Sequence, residues 1–177
     1  MKNKKIIIII TVVLLVVAGT VAALLLKKGN KDKKKTYEPG SVEAESEILL
    51  NKWLGAMAGG KTDDFISCCY TDALMDYHMN QTGLDRDKFK EYLKHVYVHG
   101  DFEYRNLEIR GKTKLDEDAY FEINKQLGDK DKIDSMYKIS YTYELKYENE
   151  WTKVEENVNI FLIKGQCYVD NLSDIKK

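Results

Sequence analysis

The order of apolar and polar positions divides the chain into an apolar run, a polar spacer and a patterned remainder. Residues Ile6 to Leu26 are 21 consecutive positions without a charge, and the polar stretch 27–40 follows them. From Ser41 onward, apolar residues first recur at helical spacing and then, after Gly100, alternate with polar residues. The pattern predicts an apolar segment, a linker, and one domain at 41–177 in which helices precede strands.

The helices are predicted from their apolar spacing and from residues that can accept a hydrogen bond from a first helical turn. Gly and polar clusters separate them. The predicted segments are a helix from its cap Ser41 to Gly59-Gly60, a short helix over 63–70 capped by Thr62, one or two turns over 71–80, and a helix from its cap Asp85 to about Val98.

The strands are predicted where the apolar period falls to two residues. The clearest case is 137–147, in which Tyr and aliphatic residues alternate with polar ones, as in an antiparallel strand with one buried face. Helices followed by four to five antiparallel strands predict an α+β domain with the helices on one face of the sheet. The predicted strands are 102–110, 119–127, 137–147, 151–163 and 166–172, with a polar loop at 128–134 and a hairpin loop at 148–150.

The chain closes with the turn Lys164-Gly165-Gln166 and the strand Cys167-Tyr168-Val169-Asp170-Asn171-Leu172. This ending, after helices and a meander, resembles the nuclear transport factor 2-like (cystatin-like) cone of bacterial membrane-anchored or secreted proteins. Many members end in Gly-x-aromatic-Tyr-(Ile/Val)-Asp-x-Leu, and Cys167 stands where the aromatic residue is commonest. The resemblance covers about 41–175 and implies a curved sheet with helices over its concave face.

Charge is segregated along the chain. Residues 1–35 hold nine Lys against one Asp, whereas residues 36–177 hold 19 basic and 28 acidic residues, a net charge of −9. An acidic domain is a poor partner for a polyanion, so we expect no nucleic-acid binding. The three Cys are too few for a disulfide scaffold.

The apolar run is predicted to be a transmembrane anchor behind a short tail, residues 1–5. As a helix it would measure about 31 Å, which matches a hydrocarbon core of about 30 Å. It ends in Leu24-Leu25-Leu26-Lys27-Lys28 without a small-x-small cleavage site, so the anchor is expected to remain uncleaved. The lipid bilayer is therefore a predicted partner through 6–26, and 27–40 is a Lys-rich linker.

The orientation of the anchor is open to two interpretations. Six Lys follow the run and three precede it, which by the positive-inside rule places the domain in the cytoplasm. The layout of short tail, single span, Lys-rich spacer and domain resembles bacterial signal-anchored surface proteins, and long domains translocate largely regardless of charge. We predict a cell-membrane, single-pass protein with an extracytoplasmic domain.

Three groups of residues are candidates for metal or redox sites. His95 and His99 lie at i, i+4 with Asp101 or His78 as a conceivable third ligand, but a helix C-terminus also favours His. Asp129, Asp131 and Asp134 lack the Gly and distal Glu of a calcium loop, so a solvated loop is expected. The adjacent Cys68 and Cys69 and the distant Cys167 are expected to be small buried apolar residues, although a pairing of Cys167 is conceivable. We expect no metal and no cofactor.

Five tyrosines are candidates for lining a pocket at the mouth of the cone, since Tyr combines an apolar ring with a polar hydroxyl. Ordinary core packing is the alternative. The resemblance implies that an enzyme of this superfamily would place an Asp, Tyr or His inside the cone, for which Asp101, Tyr104 and Tyr141 are candidates. The five are Tyr104, Tyr120, Tyr137, Tyr141 and Tyr143.

Three functions remain consistent with the sequence. The favoured one is a membrane-anchored, non-catalytic module that binds a protein or a small apolar ligand at the sheet face. The others are a scaffold subunit of a transenvelope secretion or conjugation machine and an isomerase- or dehydratase-type enzyme with its site in the cone. No nucleophile–base pair or phosphate-binding loop was found, so no catalytic residue is assigned.

Overall fold

The computed structural model describes residues 36–129, 131–147 and 149–171, all within one compact unit, Lys35–Lys177. The fold of this part is α+β, with five α-helices and a four-stranded antiparallel sheet. The helices are α1 (Val42–Ala58), α2 (Thr62–Cys69), α3 (Asp72–Thr82), α4 (Arg86–Val96) and α5 (Phe121–Leu127). The strands are β1 (Glu103–Lys114), β2 (Ser135–Tyr147), β3 (Glu150–Ile163) and β4 (Gln166–Val169).

The predicted span 6–26, the tail before it and most of the linker lie outside the described residues. Among the residues that the structure describes, none of the helices is both long and apolar enough to cross a membrane.

Side-chain caps explain where most of the helices begin. Ser41 Oγ accepts from the Ala44 N–H at 3.2 Å, and Asp85 Oδ1 accepts from the Lys88 N–H at 2.9 Å, so both predicted caps are confirmed. The predicted cap Thr62 was wrong. It is the first residue of α2, and Lys61 precedes it without a side-chain cap bond.

Helix α3 is longer than the one or two turns predicted. Thr71 Oγ1 caps it by accepting from the Leu74 N–H at 3.2 Å, and Gly83 ends it in the left-handed conformation at φ +69°. Glycine enters this conformation without the Cβ clash that other residues meet, so Gly83 ends the helix at little cost.

The predicted strand at 119–127 was wrong, since this segment is a 3-10 turn (Glu117–Ala119) followed by α5. The apolar positions Tyr120, Ile123 and Leu127 recur at helical spacing, and all three contact the hydrophobic core. Asn124 fixes the helix to the loop that follows, because its side chain donates to the Ile133 carbonyl at 3.0 Å and accepts from the Ile133 N–H at 2.7 Å.

The sheet is a meander in the order β1-β2-β3-β4. β2 and β3 pair without a register shift from Ser135 opposite Leu162 to Glu150 at the hairpin, whereas β1 pairs with β2 through two irregularities. β4 is shorter than predicted and pairs with β3 only from Ile160 to Ile163. The regular centre of the sheet is therefore the β2–β3 hairpin.

The helices cover one face of the sheet, and α1 packs against β1 and β4. Two polar contacts fix α1 to β1: Tyr104 Oη donates to the Asn51 carbonyl at 2.7 Å, and Lys112 Nζ lies 2.8 Å from Glu43 Oε2. In the register, Lys112 is opposite Ile139. Because side chains alternate between the faces of a strand, Ile139, Tyr141 and Tyr143 also point toward the helices.

Candidate functional site

The tyrosines predicted to line a pocket are packed to different degrees. Tyr141 is 1% exposed, Tyr120 4% and Tyr143 7%, so these three rings belong to the hydrophobic core. Tyr104 and Tyr137 are half-buried and pack against it. The burial of Tyr141 follows from its place on the central strand β2, facing the helices.

The structure brings two of these tyrosines together around a carboxylate that the sequence analysis did not single out. The rings of Tyr141 and Tyr143 are stacked with centroids 5.9 Å apart. Glu156 of β3 is opposite Tyr141 in the register, and Tyr141 Oη donates to Glu156 Oε2 at 2.8 Å. The Tyr143 hydroxyl also lies close enough to this carboxylate to interact with it electrostatically. We call Tyr141, Tyr143 and Glu156 the Glu156 cluster.

The position of Glu156 in the strand pattern is the sign that sequence reasoning missed. It occupies the helix-facing phase of β3 between Val154 and Val158, and the apolar Ile160 and Leu162 continue that phase. A charged residue in the apolar phase of a strand is an informative exception, since burial of a charge is costly unless it is paired.

Burial raises the pKa of Glu156, and the hydroxyls of Tyr141 and Tyr143 oppose that rise by stabilising the carboxylate. Burial, together with the nearby Glu156 charge, also raises the pKa of both phenols. Tyr141 and Tyr143 therefore stay protonated and act as hydrogen-bond donors. Such a cluster can hold one proton, or its carboxylate can accept a hydrogen bond from a bound hydroxyl or ammonium group.

The candidate metal ligands differ in their exposure to solvent. His95, His99 and Asp101 are exposed, whereas His78 is 2% exposed and its Nδ1 lies 3.0 Å from Tyr70 Oη. Within the described residues, no group of three or more His, Cys, Asp or Glu side chains is placed to hold a metal ion.

The acidic loop and the cysteines have structural contacts. Asp134 Oδ2 accepts from the Lys164 N–H at 2.7 Å, and Asp131 forms an ion pair with Lys164 Nζ at 3.3 Å, so these carboxylates hold the β3–β4 turn. Cys68 and Cys69 are buried, Cys167 is half-buried, and all three are free thiols. Burial raises the pKa of Cys69 well above its ordinary value, which disfavours the reactive thiolate.

A groove of about 420 Å³ lies where the loop before β1 approaches the tip of the β2–β3 hairpin. Two of its charged groups pair with each other, because Lys146 Nζ lies 2.7 Å from Glu103 Oε1. Asp101, one of the three residues considered for an enzyme, is in this groove, whereas Tyr141 is in the core. The groove is lined by Gly100, Asp101, Phe102, Glu103, Lys146 and Asn149.

No known family model matches this chain, and no curated protein shows significant similarity to it.

Proposed function

We propose that residues 41–177 form a non-catalytic binding module of the nuclear transport factor 2-like type, presented outside the cell membrane by an uncleaved anchor at 6–26. The observation that carries the proposal is the packing of the predicted pocket lining. Tyr141 and Tyr143 fill the helix-facing side of β2 with their own rings, and Tyr120 is buried in the same hydrophobic core. Binding at the surface of the sheet fits this packing better than a ligand held deep inside it.

The hydroxyls of these tyrosines favour the same interpretation. Tyr104 donates to the Asn51 carbonyl and Tyr141 donates to Glu156, so both polar groups serve the domain itself. Buried hydroxyls with internal partners stabilise one packed arrangement and are costly to redirect to a ligand.

A metabolite-turnover experiment tests the non-catalytic part of the proposal. The full chain and its Glu156→Gln variant are incubated with small-molecule extracts, and mass spectrometry follows each metabolite. We expect both proteins to leave the composition of the extract unchanged. Consumption of a metabolite by the wild type, but not by the variant, would contradict a non-catalytic role.

The membrane placement is tested on intact cells. Protease shaving is expected to remove the domain from the outside, and membrane extraction with carbonate is expected to retain the uncleaved chain. Protection of the domain until lysis would place it in the cytoplasm instead.

An enzyme with its site at the Glu156 cluster is the second candidate, because burial raises the pKa of a carboxylate that lies beside two protonated phenols. A raised carboxyl pKa suits general acid–base work near neutral pH. The rate of such an enzyme would depend on the Glu156 carboxyl and would fall in both Glu156→Gln and Tyr141→Phe.

A further inference from the structure

Within the part of the chain that the structure describes, strand β3 is paired on both sides only at its C-terminal end. It has 14 residues, and β2 pairs with it from Glu150 to Leu162. On its other side β4 pairs only with residues 160–163. Among the described residues, the backbone of 150–158 therefore has strand pairing on one side only, and we call this stretch the open edge of β3.

A hydrogen bond made by the chain just after β4 shows which backbone groups of β3 face outward. The Asp170 N–H donates to the Asn159 carbonyl at 2.8 Å, so the polar groups of Asn159 point away from β2. Since these groups alternate in direction along a strand, those of Asn157, Glu155 and Lys153 point the same way. Nine residues give a row of roughly 30 Å, long enough for an added strand.

The opposite edge of the sheet is built differently. β1 has two register shifts, and Asn106 takes a positive φ of 56°. Tyr37 also crosses this edge and donates to the Ile109 carbonyl at 2.6 Å. Bulges and covering contacts are features that prevent strand addition. The pairing of β3 with β2 has no such shift, so the backbone groups along the open edge of β3 alternate regularly.

The side chains along the open edge define the complementary sequence. Val154, Glu156 and Val158 are half-buried and point toward the helix-facing side. A strand lying beside β3 places its own alternate side chains next to these three. Glu156 favours a basic neighbour, and the two valines favour apolar ones.

We infer that the open edge of β3 binds an extended segment of a partner protein by strand addition, with a basic residue beside Glu156 and apolar residues two positions away on each side. The backbone row supplies affinity, and Val154, Glu156 and Val158 supply selectivity. The inference rests on the proposed binding function and names the surface and the partner chemistry.

The probe is the fluorescein-labelled peptide acetyl-TVTKTVT-amide, which carries this alternation. Its binding to the full chain of 177 residues in detergent micelles is measured by anisotropy. We expect the peptide with Glu at the central position to bind about fivefold more weakly, because the carboxylates then lie side by side. The Glu156→Gln variant is expected to lose this discrimination.

A matched pair of variants isolates the backbone row. Glu155→Pro removes an outward N–H without touching the bonds to β2, and Glu155→Ala removes the same carboxylate but keeps the N–H. We expect Glu155→Pro to weaken binding about tenfold and Glu155→Ala to leave it nearly unchanged. Should Glu155→Pro fail to fold, a peptide N-methylated at alternate residues makes the same test on the wild-type protein.

Site-resolved hydrogen exchange identifies the occupant. In support of the inference, the amides of Lys153, Glu155 and Asn157 exchange quickly in the free chain and slowly with the peptide. If these amides exchange slowly without the peptide, and removal of residues 172–177 makes their exchange fast, the chain covers its own edge. Slow exchange that appears only at high protein concentration would mean a second copy. Either result, or equal binding of the Lys and Glu peptides, overturns the inference.

Metabolite turnover would overturn the proposed function instead, so the two failures are distinguishable.

Discussion

At the scale of single residues, His78 is the buried group with the clearest consequence for pH. It is 2% exposed, and burial lowers its pKa to about 4 from an ordinary 6.5. Between these values the unfolded chain binds a proton that the folded chain does not, so stability falls as the pH drops from 6.5 to 4. Glu156 acts in the opposite direction, because its raised pKa favours the folded state at low pH.

A comparison of variants isolates the His78 contribution. Between pH 6.5 and pH 4, we expect the unfolding free energy of the wild type, measured with urea, to fall by up to about 3 kcal/mol more than that of His78→Gln. Tyr70→Phe removes the hydroxyl beside His78 but keeps the imidazole, so it should retain the steeper pH dependence. Parallel profiles for the wild type and His78→Gln would show that the imidazole does not titrate as the structure implies.

Replacement of Gly100 is expected to lower stability for two reasons, its backbone conformation and the close approach of another glycine. It has φ +73°, and a Cβ there would lie 3.2 Å from Gly60 Cα. Its N–H also donates to the Met57 carbonyl at 3.0 Å. Gly83 has a similar φ of +69° but open space around it, which makes it the control. Denaturant melts should give a loss of about 1 kcal/mol for Gly83→Ala and at least about 2 kcal/mol for Gly100→Ala. Equal losses would mean that the glycine contact yields.

At the scale of elements, α5 depends on one side chain. Asn124 satisfies both backbone groups of Ile133, a residue 1% exposed. Asn124→Ala leaves both groups without that partner, and we expect a loss of about 2 to 3 kcal/mol in unfolding free energy. Lys125→Ala, on the exposed side of the same helix, should change it by less than about 0.5 kcal/mol. A small effect of Asn124→Ala would indicate that water replaces the amide.

The sequence pattern predicted correctly those features that depend only on residues close together in the chain. The caps Ser41 and Asp85 and the alternation of β2 were predictable because each depends on neighbours in sequence. The helix at 121–127 was not, because its short apolar pattern fits either period and its main anchor, Ile133, is nine residues away. Glu156 was missed for a related reason, since its partner Tyr141 is defined only by the register of two strands.

At the scale of the whole molecule, the chain enters the domain across the edge of β1. Tyr37 Oη donates to the Ile109 carbonyl at 2.6 Å, 72 positions away in sequence. Tyr37→Phe keeps the ring and removes this bond, so it should cost about 1 kcal/mol in unfolding free energy. Tyr92→Phe, at an exposed tyrosine of α4, is the control and should be neutral. If both variants melt alike, the entry segment does not hold the edge of β1.

The shortness of β4 also determines how the domain responds to force. A pull on the chain beyond Asn171 reaches the hydrogen bond from Asp170 to Asn159 first, then the pair Val169–Ile160, and the pair Gln166–Ile163 at the turn last. These contacts are therefore expected to open one after another, as in unzipping, before the longer β2–β3 ladder opens. In an optical trap, β4 is expected to peel away at low force as a separate early step and to rejoin when the tension is released.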